Sequence, residues 1–275
     1  MSFKIALAGD LGSGKSTVSK ILIERTGATY YSTGTVCRAL AKKHGMSIDE
    51  FNVYMESHPE VDKEIDDGLC ALSKESGDYI VDSRMAFHFV KGSFSVYLST
   101  DPIVSATRIL NDNRDVERFA DVEEAAARIR VRRNSENKRY FEKYGVHITD
   151  LRNYNLVLDT TYLTPEEVAE AILESLEARL TLPDFRLALL SPNRLSYKKD
   201  ELRFEVVAGL RAELKFGMPL PLPRVCEKAG RFYILSGADI AEAHLCDGKK
   251  LIPCRLTGGR PSPLSSFIPL SCKES

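Results

Sequence analysis

Nine residues constrain this chain more than any others: Gly9-Asp10-Leu11-Gly12-Ser13-Gly14-Lys15-Ser16-Thr17. They stand between a short apolar run, Phe3-Lys4-Ile5-Ala6-Leu7-Ala8, and a stretch in which Val18, Ile21 and Leu22 recur at helical spacing. The order is therefore strand, tight loop, helix. Three glycines let the loop backbone fold closely enough for consecutive N–H groups to converge at a helix N-terminus, where a phosphate can be held. Lys15 can reach β- and γ-phosphates as a point charge, the Ser16 hydroxyl can ligate Mg²⁺, and Thr17 is placed for an α-phosphate contact. Composition alone yields the pattern G-x-x-x-x-G-K-[ST] in about one chain in a hundred of this length. The flanking strand and helix make an accidental turn with an exposed lysine the weaker reading. The motif implies a nucleotide phosphate without naming the reaction.

Further short apolar runs at 28–31, 79–81, 94–98 and 156–158 alternate with longer helical stretches, which predicts an α/β fold with a parallel sheet covered by helices. Several helix starts are legible. Ser47 with Glu50 forms a capping box, and Asp101-Pro102 and Thr164-Pro165-Glu166-Glu167 each place a cap before a proline at the first helical position. A long helical pattern from Asp121 to Tyr144 stops at Gly145. Another, from Thr164 to about Leu180, closes the first unit.

Thr181-Leu182-Pro183-Asp184 reads as part of a linker over 181–186, followed by a second unit of short elements over 187–257. The tail 258–275, with Pro261, Pro263 and Pro269, has few periodic apolar positions and is expected to be flexible. The formal net charge of −1 gives no whole-chain attraction to nucleic acid or an anionic membrane, so any anion site must come from local clustering. Six cysteines without a C-x-x-C pair point to buried or free thiols rather than a zinc or redox motif. The first strand begins almost at Met1 and no run of 18 apolar residues occurs, so neither a signal peptide nor a spanning helix is expected, and the location expected is cytoplasmic.

Function becomes more specific after the loop helix. Tyr31-Ser32-Thr33-Gly34-Thr35-Val36-Cys37-Arg38 is a strand ending in small hydroxyl residues and glycine, followed one turn later by arginine. The segment resembles the monophosphate-binding pattern D-[ST]-G-x-x-[YF]-R of cytidylate kinases: Thr33, Gly34 and Arg38 match, while Ser32 and Cys37 depart from it. Ile80-Val81-Asp82-Ser83-Arg84 is similar to the D-G-R or E-G-R step of the same kinases. A carboxylate at a strand's C-terminal end can hold Mg²⁺ through water or orient an acceptor, and an arginine there can clamp a phosphate with its donor fork. The competing reading is a structural Asp82–Arg84 pair.

Arg128, Arg132, Ser135 and Arg139 fall on one helix face. By themselves they would be a solvated face with Glu136 and Glu142 as partners. Yet Arg132-x-x-Ser135-Glu136-x-x-Arg139-Tyr140, followed by Tyr144-Gly145, resembles the lid signature of archaeal-type cytidylate kinases. Tyr154-Asn155-Leu156-Val157-Leu158-Asp159-Thr160 is similar to their D-L-V-[IL]-[ND]-T. Met85 to His88 and Asn155 depart from the family, and both departures are expected near the acceptor.

The resemblance covers about residues 1–178. It implies a P-loop NMP-kinase fold with a five-stranded parallel sheet, and ATP-dependent conversion of CMP or dCMP to the diphosphate with Mg²⁺. It implies ATP on residues 9–17, the acceptor on Thr33, Gly34, Arg38, Asp82 and Arg84, the metal on Ser16 and Asp82, and catalysis by Lys15, Arg128, Arg132 and Arg139. Past the linker, the order Leu189-Leu190-Ser191-Pro192-Asn193-Arg194-Leu195, helix 205–214, Gly230 to Gly237 and Ile252 to Leu256 resembles a small α+β fold of the ParB/sulfiredoxin type. Its turn Gly237-Ala238-Asp239-Ile240 lacks the basic residues of that family, which implies a degenerate module with a protein partner rather than a phosphate site. Two alternatives stay open: a different nucleotide or small-metabolite acceptor, and a nucleotide-dependent regulator acting through the C-terminal unit.

Overall fold

The computed structural model describes residues 2–111, 121–182 and 185–270. Five parallel strands form the first half of the sheet: β1 (Lys4–Gly9), β2 (Thr29–Ser32), β3 (Tyr79–Asp82), β4 (Phe94–Ser99) and β5 (Leu156–Asp159), in the order β2-β3-β1-β4-β5. Side chains alternate across a strand, so each strand feeds two cores. Ile5, Leu7, Val96, Leu98, Leu156 and Leu158 face Val18 and Leu22 of α1 (Lys15–Thr26) and Val168, Ala169 and Ile172 of α8 (Pro165–Thr181). Their neighbours in sequence turn the other way. Ala6 and Val81 meet Leu69 and Leu72, while Ala8, Tyr97 and Val157 meet a core shared with the C-terminal residues.

Between the strands run α2 (Thr33–Lys43), α3 (Ile48–Ser57), α4 (Pro59–Leu72), the short α5 (Ala86–Phe89), α6 (Pro102–Asn111) and α7 (Val122–Tyr144). The expected caps form. Ser47–Glu50 and Thr164–Glu167 are reciprocal capping boxes, Asp101 Oδ1 accepts the Ile103 amide at 2.9 Å, and Gly145 ends α7 at φ 68°.

The strand predicted after the linker does not start a separate sheet. β6 (Leu187–Leu190) pairs parallel with β5 and antiparallel with β10 (Ile252–Leu256), so hydrogen bonding runs unbroken across the expected boundary. β7 (Leu195–Lys198), α9 (Phe204–Lys215), β8 (Arg224–Lys228), β9 (Arg231–Ser236) and α10 (Ala238–Cys246) complete the C-terminal unit. The physical reason is the edge of β5. Apolar β6 satisfies its backbone groups and buries Ala188 and Leu190 completely.

The tail also departs from expectation. β11 (Phe267–Pro269) pairs antiparallel with β7, and Leu270 is buried. Pro269 ends this edge strand, where a missing N–H is tolerated. Residues 271–275 of that expectation lie outside the described residues. Asn155 is the third correction. It precedes β5 at the end of the sheet away from the glycine loop, accepting from the Ser95 amide and hydroxyl and donating to the Phe185 carbonyl at 3.2 Å. Its departure from the family motif is therefore structural and remote from an acceptor.

Candidate active site

The glycine loop leaves β1 with backbone that only glycine adopts without strain. Gly9 has φ 153°, and a Cβ there would stand 2.5 Å from the Leu98 carbonyl oxygen. Gly12 has φ 71°, and its Cβ would stand 2.7 Å from the Ser105 carbonyl oxygen. The loop is thus pressed against β4 and α6. Lys15 folds back over it, donating from Nζ to the Gly9 and Asp10 carbonyls at 3.1 and 2.9 Å. Burial, with Arg84 adding repulsion, pulls its ammonium down to about 8, although Asp82, Asp10 and Glu136 attract it. A phosphate arriving there would meet two cations held close together.

Asp10 is tied into the scaffold. Its carboxylate accepts from the Tyr97 hydroxyl at 2.7 Å and the Thr100 amide at 2.9 Å, and it pairs with Arg133 of α7 at 3.2 Å. Burial works against charge on Arg133, but Asp10, Tyr97 and Glu227 together outweigh it and raise its pKa. Arg133 was not among the residues expected from sequence.

One flank of the loop is built from the turn after β5. The Thr160 hydroxyl donates to the Ser13 carbonyl at 3.1 Å and meets the Thr100 hydroxyl at 2.8 Å. Arg108 of α6 donates to the Thr160 and Thr161 carbonyls at 2.8 and 3.2 Å and to the Gly12 carbonyl at 3.4 Å. Arg108 was also missed by sequence reasoning. Its one signal is its place two turns into the helix that Asp101-Pro102 begins.

The other flank carries the expected acceptor residues. Ser32 caps α2 by accepting the Thr35 amide, so Thr33 and Gly34 open that helix, and Arg38 donates to the Thr35 hydroxyl at 3.1 Å. Asp82, at the end of β3, accepts from the Tyr30 hydroxyl at 3.1 Å. Arg84 does not pair with Asp82. Its partner is Glu136 of α7 at 2.6 Å, with the two side chains 26% and 16% exposed. The end of α7 is tied to α4 through Lys143–Asp62 at 2.7 Å and a Tyr144–Asp66 hydrogen bond.

The long helix therefore reaches both flanks, though not wholly with the face expected. Arg139 lies against the Tyr140 ring at 5.1 Å and donates to its hydroxyl. Arg128 is 65% exposed and pairs with Glu124, so it is not brought to the loop in this conformation. The side chains of Arg132 and Ser135 lie outside the described residues. A cavity of about 510 Å³ beside the loop is lined by Asp10, Arg84, Tyr97 and Arg133, with Glu227 and Gly230 of the C-terminal unit forming part of its wall. In that unit Asp239 is held by Arg203 through bonds of 2.7 and 3.0 Å, which gives it a structural role.

Residues 5–146 match the family model described as AAA domain. The cytidylate kinase of Thermoplasma volcanium is 38% identical over 178 residues, covering 63% of this chain and 91% of that protein. The S-adenosylmethionine-dependent nucleotide dehydratase of Lacinutrix mariniflava is 35% identical over 175 residues, covering 63% of this chain and 36% of that one. Among solved structures, the sulfiredoxin of Arabidopsis thaliana aligns with 26% of this chain and 85% of its own, at 21% identity and a TM-score of 0.24.

Proposed function

The chain belongs to the cytidylate kinase family, and on that premise we propose that it transfers the γ-phosphoryl group of ATP to CMP or dCMP, releasing ADP and the pyrimidine nucleoside diphosphate. The observation that carries the reading is the convergence of Lys15, from the loop after β1, with Arg84, from the loop after β3. The first would serve ATP and the second the acceptor: Arg84 lines the same cavity as Gly9 and Asp10, whose carbonyls hold Lys15.

In phosphoryl transfer the protein's work is to align the two substrates and counter charge on the transferring group. The loop amides and Lys15 would hold ATP. Thr33, Gly34, Arg38 and Arg84 would hold the acceptor phosphate, with Asp82 orienting it. An acceptor phosphate oxygen then forms the new P–O bond as the bond to the ADP oxygen breaks, with no phosphoenzyme. Ser16 stands exposed at the start of α1, and Asp82, half-buried, at the end of β3. Both offer hard oxygen donors of the kind Mg²⁺ takes alongside phosphates. When bound there, Mg²⁺ offsets charge on the β- and γ-oxygens.

Arg84 is already engaged by Glu136, so the acceptor must draw it away. That exchange fits a lid, in which Arg128, Arg132 and Arg139 would come in on closure. No helix among the described residues is long and apolar enough to cross a membrane, and we place this chemistry in the cytoplasm. A protein partner for the C-terminal unit belongs to the same proposal.

The test is an ADP-release assay across nucleoside monophosphates and small hydroxyl or phosphate acceptors. CMP or dCMP should give the highest kcat/KM. A tenfold preference for another acceptor would move the substrate, and ATP binding without turnover on any monophosphate would favour the regulator reading.

A further inference from the structure

The kinases that align with this chain have about nine-tenths of their own length matched to its first 63%, so the C-terminal unit has little counterpart in them. It nevertheless enters the interior of the first unit through one side chain. Arg194, in the turn between β6 and β7, donates from Nη1 to Asp159 Oδ1 and to the Ser99 hydroxyl, both at 3.0 Å. From Nη2 it donates to the Gly230 carbonyl in the β8–β9 turn at 2.6 Å, and its guanidinium lies 5.0 Å from the Phe232 ring. The Arg194 and Asp159 side chains are 4% and 0% exposed.

Asp159 hands this contact on. It accepts from the amide and hydroxyl of Thr161, and the Ser191 amide at 3.1 Å takes its other oxygen. Thr161 in turn accepts the Asp101 amide at 3.0 Å. Thr160 and Thr161 are the residues that bond the Ser13 carbonyl and receive Arg108, which reaches Gly12. A continuous set of hydrogen bonds therefore joins the C-terminal unit to the ATP flank of the glycine loop. Among the described residues, no bond of this set reaches Thr33, Arg38, Asp82 or Arg84, and the last three have their partners elsewhere.

Resting on the kinase reading, we infer that Arg194 is a positioning residue for ATP, and that the C-terminal unit acts on the reaction by fixing the turn after β5. A buried arginine bonded to both units is suited to this, because its planar fork sets the angle between them as well as their separation. Lysine keeps the charge but cannot span Asp159, Ser99 and Gly230 together.

The experiment uses the full chain as wild type, Arg194→Gln and Arg194→Lys. Calorimetry with an ATP analogue and no acceptor reports binding, hydrogen exchange at the Thr161 amide reports the turn, and steady-state kinetics report KM for each substrate. Arg194→Gln should weaken nucleotide binding about tenfold, speed exchange at Thr161 and raise KM for ATP, leaving KM for the monophosphate within twofold. Arg194→Lys should fall between it and wild type, and it carries the test if the glutamine variant does not fold. Unchanged nucleotide affinity, or an equal rise in both KM values, would overturn the inference. Calorimetry and exchange do not depend on the acceptor, so an error in the acceptor assignment would leave them able to decide.

Discussion

The two flanks of the glycine loop are built from different kinds of contact. On the flank proposed for ATP, Ser13, Thr100, Asp159 and Thr160 are buried, and their partners are backbone groups or side chains themselves buried or half-buried. On the flank proposed for the acceptor the bonds are between side chains that solvent reaches: Arg38 with Thr35, Arg84 with Glu136, Lys143 with Asp62. A buried network has few alternative arrangements and breaks only at high cost, whereas a half-exposed ion pair exchanges partners for little. The difference suits one flank to be a template that is ready before substrate arrives, and the other to rearrange around its substrate.

Removing a buried partner should break the comparison most severely. Asp159→Ala leaves Arg194 charged and unpaired in the interior, and should cost about 3–5 kcal/mol of stability, read from denaturant midpoints. Lys15→Ala should lower kcat by roughly 10² to 10³ while leaving the fold intact, as expected when a preorganised cation is deleted. Unaltered turnover would remove Lys15 from the mechanism. Arg38→Ala should raise the acceptor KM by roughly 10- to 150-fold, the worth of one charge-assisted hydrogen bond of about 1.5–3 kcal/mol, with ATP affinity unaltered in calorimetry. The reverse pattern would exchange the two flanks.

pH offers a finer probe. Lys15 in the free protein titrates at about 8, below its ordinary 10.5, chiefly because it is buried and then because Arg84 is near. The unfolded chain therefore binds more protons between those values, and Lys15 should make stability rise as pH goes from 8 towards 10.5. ATP binding has the opposite sign. It needs the ammonium, so affinity should fall above pH 8 by up to about tenfold per unit, with proton uptake seen by calorimetry in buffers of different ionisation heat. Lys15→Met should abolish the uptake. The smallest effect is expected away from both flanks. Thr164→Ala, which removes one half of the α8 capping box, should cost about 1 kcal/mol in thermal denaturation and leave both KM values alone.

Much of the first unit was legible because its signals are local. The five parallel strands, the capping boxes at Ser47 and Thr164, the stop at Gly145 and the loop lysine each depend on residues within one or two turns of one another. The α7 arginines show where that ends. Helical spacing groups Arg128, Arg132 and Arg139 on one face, but Arg133 stands about 100° further round. Which of these neighbouring directions meets the loop depends on how α7 docks beside α6 and on where Asp10 points. The Asp10–Arg133 pair joins residues more than a hundred positions apart, and no periodicity encodes it or the docking angle.

The same division holds for the whole chain. By itself the sequence determined a nucleotide-phosphate loop and a parallel α/β core, because strand alternation, glycine-rich turns and helix caps are set by neighbouring side chains. Tertiary structure alone decided that β6 would extend the sheet beyond β5, that β11 would pair with β7, that Arg84 would meet Glu136, and that Arg194 would bind Asp159. Each of these satisfies a strand edge or a buried charge left over by one segment with a group from another, and such a pairing exists only once the chain has brought the two together.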